Sequence, residues 1–385
     1  MKPAGGGTMK KLYWIIQQAE HLGGTEIVTI NIVNMLAKHL DVTLLVVGEE
    51  NKELDFGLDK DVKVEYLGVP YKYTCLEDYT GKLRDKGKHL SVVFTGIQCG
   101  LFWFFKRFKF RKMLKKRIDK DDLLICSSYD NFMIAPRGRN VLFHFHFNAK
   151  FFFSLMVSTG RLFHRKPNKY IFLTKDTLKT IVKKKKKYSG SYQVYNPIRF
   201  DRCLDLEYHN NEILFLARYS PQKNPMLALA VVKELSQMMD NFHLSMYGKG
   251  FLKEKMEKYV ADNRLEKYVT INDQTNDALS VIHNSDLLLV TSDFEGSCLV
   301  VNEAASQSVP AVSSNWGDAA YEVVDHGNSG FVVDSKDPKE YAKKIKEILE
   351  DKDYLLKLKQ NAYDFSDNFS DENIVRNWLE IINKY

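Results

Sequence analysis

The sequence predicts an α/β protein of two domains, each a doubly wound parallel sheet with helices on both faces, the two facing a central cleft. Three observations carry that reading. The chain has 385 residues, more than one ordinary core holds and enough for two. Short apolar runs recur along its whole length, nearly continuous in character, as strands buried on both faces must be. Helical periodicity fills many of the intervals, and alternation of strand and helix is the pattern of parallel sheets.

In chain order, the strand candidates of the first half are 12–16, 42–47, 123–126, 141–145 and 170–173. Those of the second half are 213–217, 243–247, 269–271, 287–290 and 311–313, with helical patterns at 26–38, 225–238, 252–262 and 300–308. The domain boundary is expected near Asn196-Pro197, after the lysine run 183–187, because proline disfavours helix at the residue before it. This divides the chain into 9–195 and 196–365. In 366–385, Ile374, Trp378, Ile381 and Ile382 share one helical face, which predicts a closing amphipathic helix that packs back on the first domain. Residues 1–8 contain three consecutive glycines and no apolar stretch, so they read as a cloning remnant ahead of a natural start at Met9 rather than a secretory signal.

Composition narrows the function. Hydrophobic residues make up 44% and charged residues 27%, a globular balance that argues against a disordered chain. The five cysteines are scattered and form no C-x-x-C pair, which argues against a disulfide scaffold or a zinc site and for reduced thiols in a cytoplasmic enzyme. No apolar run approaches ~20 residues, so no membrane-crossing helix is expected. The net charge of +7 is unevenly spread, with basic clusters at 106–120 and 183–187. No nucleic-acid-binding module accompanies them, and no nucleic-acid partner is expected. The segment 101–117 mixes dense aromatics with eight cations, and its first five residues are apolar all round. Beyond Lys106, the residues Phe110, Met113 and Leu114 fall on a different helical face from Leu101, Phe105 and Phe108. Part of the segment is therefore expected in the core, while its basic half suits either solvent or an anionic membrane surface.

Two segments carry chemistry. The first is Asp293-Phe-Glu-Gly-Ser-Cys-Leu-Val-Val-Asn-Glu303, which follows the run 287–290 and opens a helix. Backbone N–H groups near Cys298 and Leu299 point out of that helix start, a ready place for a diphosphate. A carboxylate behind it can take both hydroxyls of a ribose, and one in front can reach sugar hydroxyls. Acidic residues at a helix start also have a plain reading, because the dipole favours them. The second is Ala217-Arg218-Tyr-Ser-Pro-Gln-Lys223-Asn-Pro225, where Asn224-Pro225 reads as an N-cap followed by proline at the first helical position. Arg218 and Lys223 flank a turn at the carboxyl edge of the sheet, where open α/β sheets bind ligands. Two cations there suit a diphosphate whose charge grows as it leaves.

Together these segments resemble the retaining family 4 glycosyltransferases of the GT-B fold, also called group 1 glycosyltransferases. Glu295 and Glu303 match that family's two glutamates separated by seven residues, and Arg218 and Lys223 its arginine–lysine pair. Tyr247-Gly248-Lys-Gly250 is similar to its glycine turn after the second donor-domain strand. Asn328-Ser-Gly-Phe-Val-Val333 with Asp337-Pro338 is similar to the segment that closes that domain. Leu22-Gly23-Gly24-Thr25-Glu26, His146-Phe147-Asn148 and Tyr195-Asn196-Pro197 extend the likeness through the first half.

The resemblance implies two Rossmann-like domains, and roles for the matching residues. Arg218 and Lys223 hold the pyrophosphate, Glu303 holds the ribose, and Glu295 contacts the sugar or stabilises charge at its reacting carbon. Ser297, Cys298 and Leu299 line the donor, Gly248 lies at its turn, and Gly23 and Gly24 let backbone approach the phosphate or acceptor. His146 reaches the donor sugar from the opposite domain, although it lies in an aromatic run where a structural role is nearly as natural and His144 is its rival. The implied reaction moves a sugar from a nucleotide diphosphate sugar, by family frequency UDP-linked, to a glycan or lipid-linked acceptor in cell-surface polysaccharide synthesis. It proceeds with retention and needs no metal or other cofactor, since side-chain cations stand in for one. Ser297-Cys298 and Asn302 depart from the family's usual residues, which leaves the donor sugar open. The implied location is cytoplasmic, with peripheral contact at the inner membrane face. The alternative is a catalytically silent GT-B protein that stabilises a true transferase, and the joint presence of all four charged residues argues against it. A dinucleotide enzyme is disfavoured, because no third glycine follows Gly248 and Gly250 at Lys253.

Overall fold

Continuous apolar runs become two parallel sheets. The computed structural model describes residues 11–17, 24–50, 57–70, 89–146, 149, 152–153, 169–317 and 319–385. The first sheet contains β1 (Lys11–Ile16), β2 (Asp41–Gly48), β3 (Lys63–Val69), β4 (Leu123–Cys126), β5 (Asn140–Phe145), β6 (Lys169–Phe172) and β7 (Tyr192–Gln193). Its order is β3-β2-β1-β4-β5-β6-β7, with every pairing parallel. The second contains β8 (Glu212–Leu216), β9 (His243–Tyr247), β10 (Val269–Asn272), β11 (Leu287–Val290), β12 (Ala311–Ser314) and β13 (Gly330–Val333). Its order, β10-β9-β8-β11-β12-β13, reverses beside β8 in the same way as the first sheet reverses beside β1.

Each strand read from the sequence falls on one of these. The three that were not read are edge strands or nearly so. Along β3 only Val69 is fully buried, β7 has two residues, and β13 closes the second sheet. Helix ends shift by a few residues: the helix expected to reach residue 238 stops at Leu235, where Ser236 caps it.

Both sheets are covered on two faces. Leu12, Trp14 and Ile16 enter one core while Tyr13 and Ile15 enter another, as the two-residue side-chain period requires. The helix Lys352–Phe365 sends Leu355 and Leu358 into the core of the second sheet. The chain then crosses back, and the helix Asp371–Ile382 buries Ile374, Trp378, Ile381 and Ile382 against the first sheet, with the Trp378 and Trp14 rings 4.9 Å apart. Each such apolar side chain contributes about 1.5–3 kcal/mol by burial, so the last helix fastens the two halves together.

The helix His89–Arg117 divides its faces as the wheel implies. Phe110 and Leu114 are buried against the first sheet, whereas Leu101, Phe105 and Phe108 are exposed. Among the described residues no helix is long and apolar enough to cross a membrane, and Cys126, Cys203 and Cys298 are free thiols.

Candidate active site

The carboxyl ends of strands from both sheets border a cavity of about 670 Å³, lined on one side by Gly24 and His146 and on the other by the loops after β8, β9 and β11. Two of those loops are stitched together. Thr291 Oγ1 donates to the carbonyls of Lys223 (3.1 Å) and Asn224 (2.9 Å), and the Asp293 N–H donates to the Gln222 carbonyl at 2.8 Å. Asn224 adopts the left-handed conformation (φ 48°) and its side chain accepts from the Leu227 N–H, starting the helix Pro225–Leu235 as the Asn-Pro pair implies.

The glycines after β9 answer to close packing. A Cβ at Gly248 meets the Ala217 carbonyl oxygen at 2.0 Å, and one at Gly250 meets that of Tyr219 at 2.2 Å. Gly248 does line the cavity, but its missing side chain is accounted for by the neighbouring turn. Gly24 opens the helix Gly24–Ala37, and a Cβ there lies 3.7 Å from Leu299 Cδ1, so the two domains come within van der Waals reach across the cavity. Gly23 lies outside the described residues.

The charged residues form two pairs and a free cation. Lys223 is ion-paired with Glu295, which also accepts from Ser292 Oγ at 2.7 Å. Burial opposes the charge on Lys223, and the Glu295 carboxylate paired with it favours that charge, so the ammonium is held above its ordinary range. Burial and the Glu295 carboxylate push the Cys298 thiol up, which keeps it neutral and leaves Glu295 as the effective counter-charge. Glu303, 3% exposed, is gripped by both Nε and NH2 of Arg199, the second at 2.9 Å. Arg218 is exposed at the rim and has no ion pair among the described residues.

Cys298 sits in the left-handed conformation (φ 45°) at the start of the helix Leu299–Ser306, with no side-chain cap. The Val301 N–H donates to the Cys298 carbonyl at 2.9 Å, which leaves the Leu299 and Val300 N–H groups on the cavity wall beside Ser297, whose Oγ accepts from Asn196 Nδ2 at 2.7 Å. This is the arrangement that binds anions at helix starts.

Of the two histidines, His146 lines the cavity, while His144 is wholly buried against Trp14 and Trp378. β5 ends at Phe145, which places His146 just beyond the sheet edge. Burial lowers the His146 pKa to about 3, and it lowers that of His144 well below the ordinary range, with His146 adding to the effect. The part of the His146 ring that meets the cavity softens that push, but the imidazole is neutral at pH 7 in either case.

The cavity thus brings together Arg218, Lys223, Glu295, Glu303, His146, Gly24, Gly248, Ser297, Cys298 and Leu299. The sequence reading missed Arg199 and the direct role of Asn196. Both belong to the linker, and the Arg199–Glu303 pair spans 104 residues, so no local spacing announces it. It also missed Glu322, which reaches across the domain interface. Its carboxylate accepts the Lys175 and Asp176 N–H groups (2.8 and 2.7 Å) and the Tyr195 hydroxyl (2.5 Å).

Comparison with known proteins bears on what this geometry serves. Residues 204–365 match the family model of the glycosyl transferases group 1. An uncharacterized glycosyltransferase of Haemophilus influenzae is 24% identical over 389 aligned residues, covering 97% of this chain and 100% of that protein. Among solved structures, a glycine-to-arginine mutant of Staphylococcus aureus TarM in complex with fondaparinux, α-GlcNAc-glycerol and UDP superposes with a TM-score of 0.74 at 14% identity, covering 97% of this chain and 100% of that one. Anabaena HepE in complex with UDP and glucose superposes with a TM-score of 0.71 at 18% identity, covering 98% and 100%. Residues 204–365 carry the group 1 glycosyl transferase domain, which together with the full-length likeness to the Haemophilus protein supports a glycosyltransferase, and the whole chain has the GT-B fold.

Proposed function

We propose that the protein is a retaining, metal-independent transferase that moves a sugar from a UDP-sugar to a glycan or lipid-linked acceptor of a cell-surface polysaccharide. The observation that carries this reading is the meeting of Arg218, Lys223, Glu295, Glu303 and an uncapped helix start in one interdomain cavity. UDP beside a sugar in the TarM and HepE complexes supports the choice of nucleotide. The α-configured GlcNAc-glycerol beside UDP in the TarM complex supports retention.

In this reading the diphosphate rests on the first-turn N–H groups near Leu299, between Arg218 and Lys223. As the bond from the anomeric carbon to the phosphate oxygen breaks, negative charge grows on the diphosphate and the two cations stabilise it without a metal. Positive charge spreads over the sugar ring within reach of Glu295. The acceptor hydroxyl attacks from the face the diphosphate is leaving and passes its proton to the departing phosphate oxygen. The neutral His146 imidazole hydrogen-bonds the sugar from the opposite domain, and Glu303 holds the ribose. The test is release of nucleotide from a panel of sugar nucleotides, with NMR of the product's anomeric proton. A UDP-sugar should be consumed and give a product that keeps the donor's anomeric configuration. No release from any donor would leave only a catalytically silent scaffold, and an inverted product would refute the front-face route.

The acceptor is proposed to arrive at an anionic membrane surface. Leu101, Phe105 and Phe108 are 54%, 68% and 57% exposed, and the helical spacing continues their stripe through Lys112 to the exposed Lys115 and Lys116. Arg107 and Arg111 flank the Phe108 ring at 4.8 and 5.9 Å. The lysine run 183–187 ends a helix whose Ile181 joins the same core as Phe110 and Leu114, so both basic elements cover one face of the first sheet. An apolar ridge continued by cations fits a leaflet surface, where each Lys contributes about 1 kcal/mol. Sedimentation with anionic and neutral liposomes checks this. Gln at Lys112, Lys115 and Lys116 should weaken binding to anionic vesicles on the order of a hundredfold, and equal binding to both lipids would refute it.

A further inference from the structure

We propose that Arg199 is a specificity-determining residue for the donor, orienting the Glu303 carboxylate so that the protein distinguishes a ribonucleotide from its 2′-deoxy analogue. The inference rests on the reading that Glu303 takes the ribose.

Glu303 lies on the inner wall of the cavity, 3% exposed, so its carboxylate cannot rely on bulk water. A buried carboxylate without a cation would leave an uncompensated charge away from water. Arg199 supplies the cation through a fork, Nε to one oxygen and NH2 to the other at 2.9 Å. A bidentate grip does two things that a point charge does not. It fixes the plane of the carboxylate, and it occupies one lone pair on each oxygen while leaving one outward on each. These outward lone pairs point to opposite sides of the carboxylate, so one of them, its direction fixed by the fork, receives the 2′-hydroxyl of the ribose. When the 2′-hydroxyl is absent, one acceptor stays buried and unpaired, the situation in which hydrogen-bonding sites reject an analogue most strongly.

The fork is itself held rigidly. Three residues before it, Asn196 donates to Ser297 on the opposite wall at 2.7 Å. The adjacent Ile198 is buried in the first domain's core, and its N–H donates to the Phe369 carbonyl at 3.2 Å. The Arg199 guanidinium lies 5.1 Å from the Phe200 ring and lines the same cavity as Glu303. Arg199 therefore reaches the donor domain from a fixed linker rather than from a mobile surface.

The test is calorimetric affinity for UDP and for 2′-deoxy-UDP, measured on the full chain as parent, Arg199→Lys, Arg199→Gln and Glu303→Gln. The parent should prefer UDP by on the order of tenfold or more, the worth of one buried acceptor left unpaired. Arg199→Lys keeps the charge but not the fork, so it should bring the preference to within a few-fold by losing UDP affinity while 2′-deoxy-UDP binding stays nearly unchanged. If Arg199→Gln melts early, Arg199→Lys carries the comparison. A purely structural role for Arg199 predicts equal loss for both nucleotides and an unchanged ratio, which would overturn the proposal while the ribose reading stands through Glu303→Gln. A parent that does not distinguish the two nucleotides would overturn the ribose reading and this inference with it.

Discussion

The Lys223–Glu295 pair separates what the site needs for folding from what it needs for turnover. The side chains are 19% and 9% exposed. Removing one partner of a buried pair costs about 3–5 kcal/mol, because the other charge is left uncompensated. Partial exposure of Lys223 and the remaining Ser292 hydrogen bond to Glu295 reduce this to roughly 2–3 kcal/mol here. Lys223→Gln and Glu295→Gln are each expected to lower the melting temperature by about 2–4 °C. The double variant replaces two charges by two amides and should lie within about 1 kcal/mol of the parent. Turnover should behave differently. Loss of the Lys223 charge removes about 2.7–4 kcal/mol of transition-state stabilisation, on the order of hundreds- to a thousandfold in rate, and the double variant does not restore it. Thermal melts with steady-state kinetics on all four proteins complete the cycle. If the double variant is as unstable as the sum of the singles, the ion pair is not the coupling; if it regains turnover, Lys223 does not serve the diphosphate.

Other outcomes follow from the same geometry. Arg218→Ala should lose a similar factor in turnover with melting within about 1–2 °C of the parent, because it is exposed and has no ion pair among the described residues; a normal rate would refute its part in the clamp. Activity should persist in excess chelator, since Arg218 and Lys223 supply the positive charge; loss that magnesium or manganese reverses would contradict this. His144 and His146 are held neutral with folded pKa values below the unfolded value of about 6.5, so the unfolded chain binds more protons as the pH falls. Stability should therefore be complete above about pH 6.5 and decline below it by up to ~1.4 kcal/mol per pH unit for each histidine. His144→Phe should flatten that decline, and an unchanged slope would show that these rings do not govern it. Glu322→Gln should speed hydrogen exchange at the Lys175 and Asp176 amides on the order of tenfold, as about 1–2 kcal/mol of charge-assisted capping is lost.

What the sequence shows follows the physics of each element. Strands such as β1, β2, β4 and β11 are buried on both faces, which writes a continuous apolar run that is hard to misread. β3 interleaves Lys63 and Glu65 with apolar residues because it lies at an edge, so its run is broken. The Arg218–Lys223 and Glu295–Glu303 segments are legible because each lies on one strand-to-helix connection, where spacing and placement are the same information. Arg199 and Glu322 are not, since their partners lie 104 and 146 residues away and only the packing of the two domains brings them together. The choice between His144 and His146 turns on where β5 stops, and periodicity does not fix a strand end to one residue.

The two ion pairs have different fates under the proposed chemistry. Arg199 grips Glu303 with two parallel bonds, and a ribose can add to the carboxylate without breaking either. Lys223 holds Glu295 through one oxygen, and a diphosphate arriving at the uncapped helix start competes for that ammonium. As Lys223 turns its charge toward the diphosphate, Glu295 loses its counter-ion at the moment the sugar comes within reach. A carboxylate that is neutralised in the empty site becomes uncompensated only once the donor is in place. That places the unpaired negative charge where positive charge is about to develop, and it avoids maintaining a bare buried carboxylate in the resting protein, which would cost several kcal/mol. The Ser292 hydroxyl, 2.7 Å from the Glu295 carboxylate, keeps that group oriented while Lys223 moves. Ser292→Ala should therefore lower kcat more than it weakens nucleotide binding, and an effect on nucleotide affinity alone would show that the carboxylate is not held for the sugar.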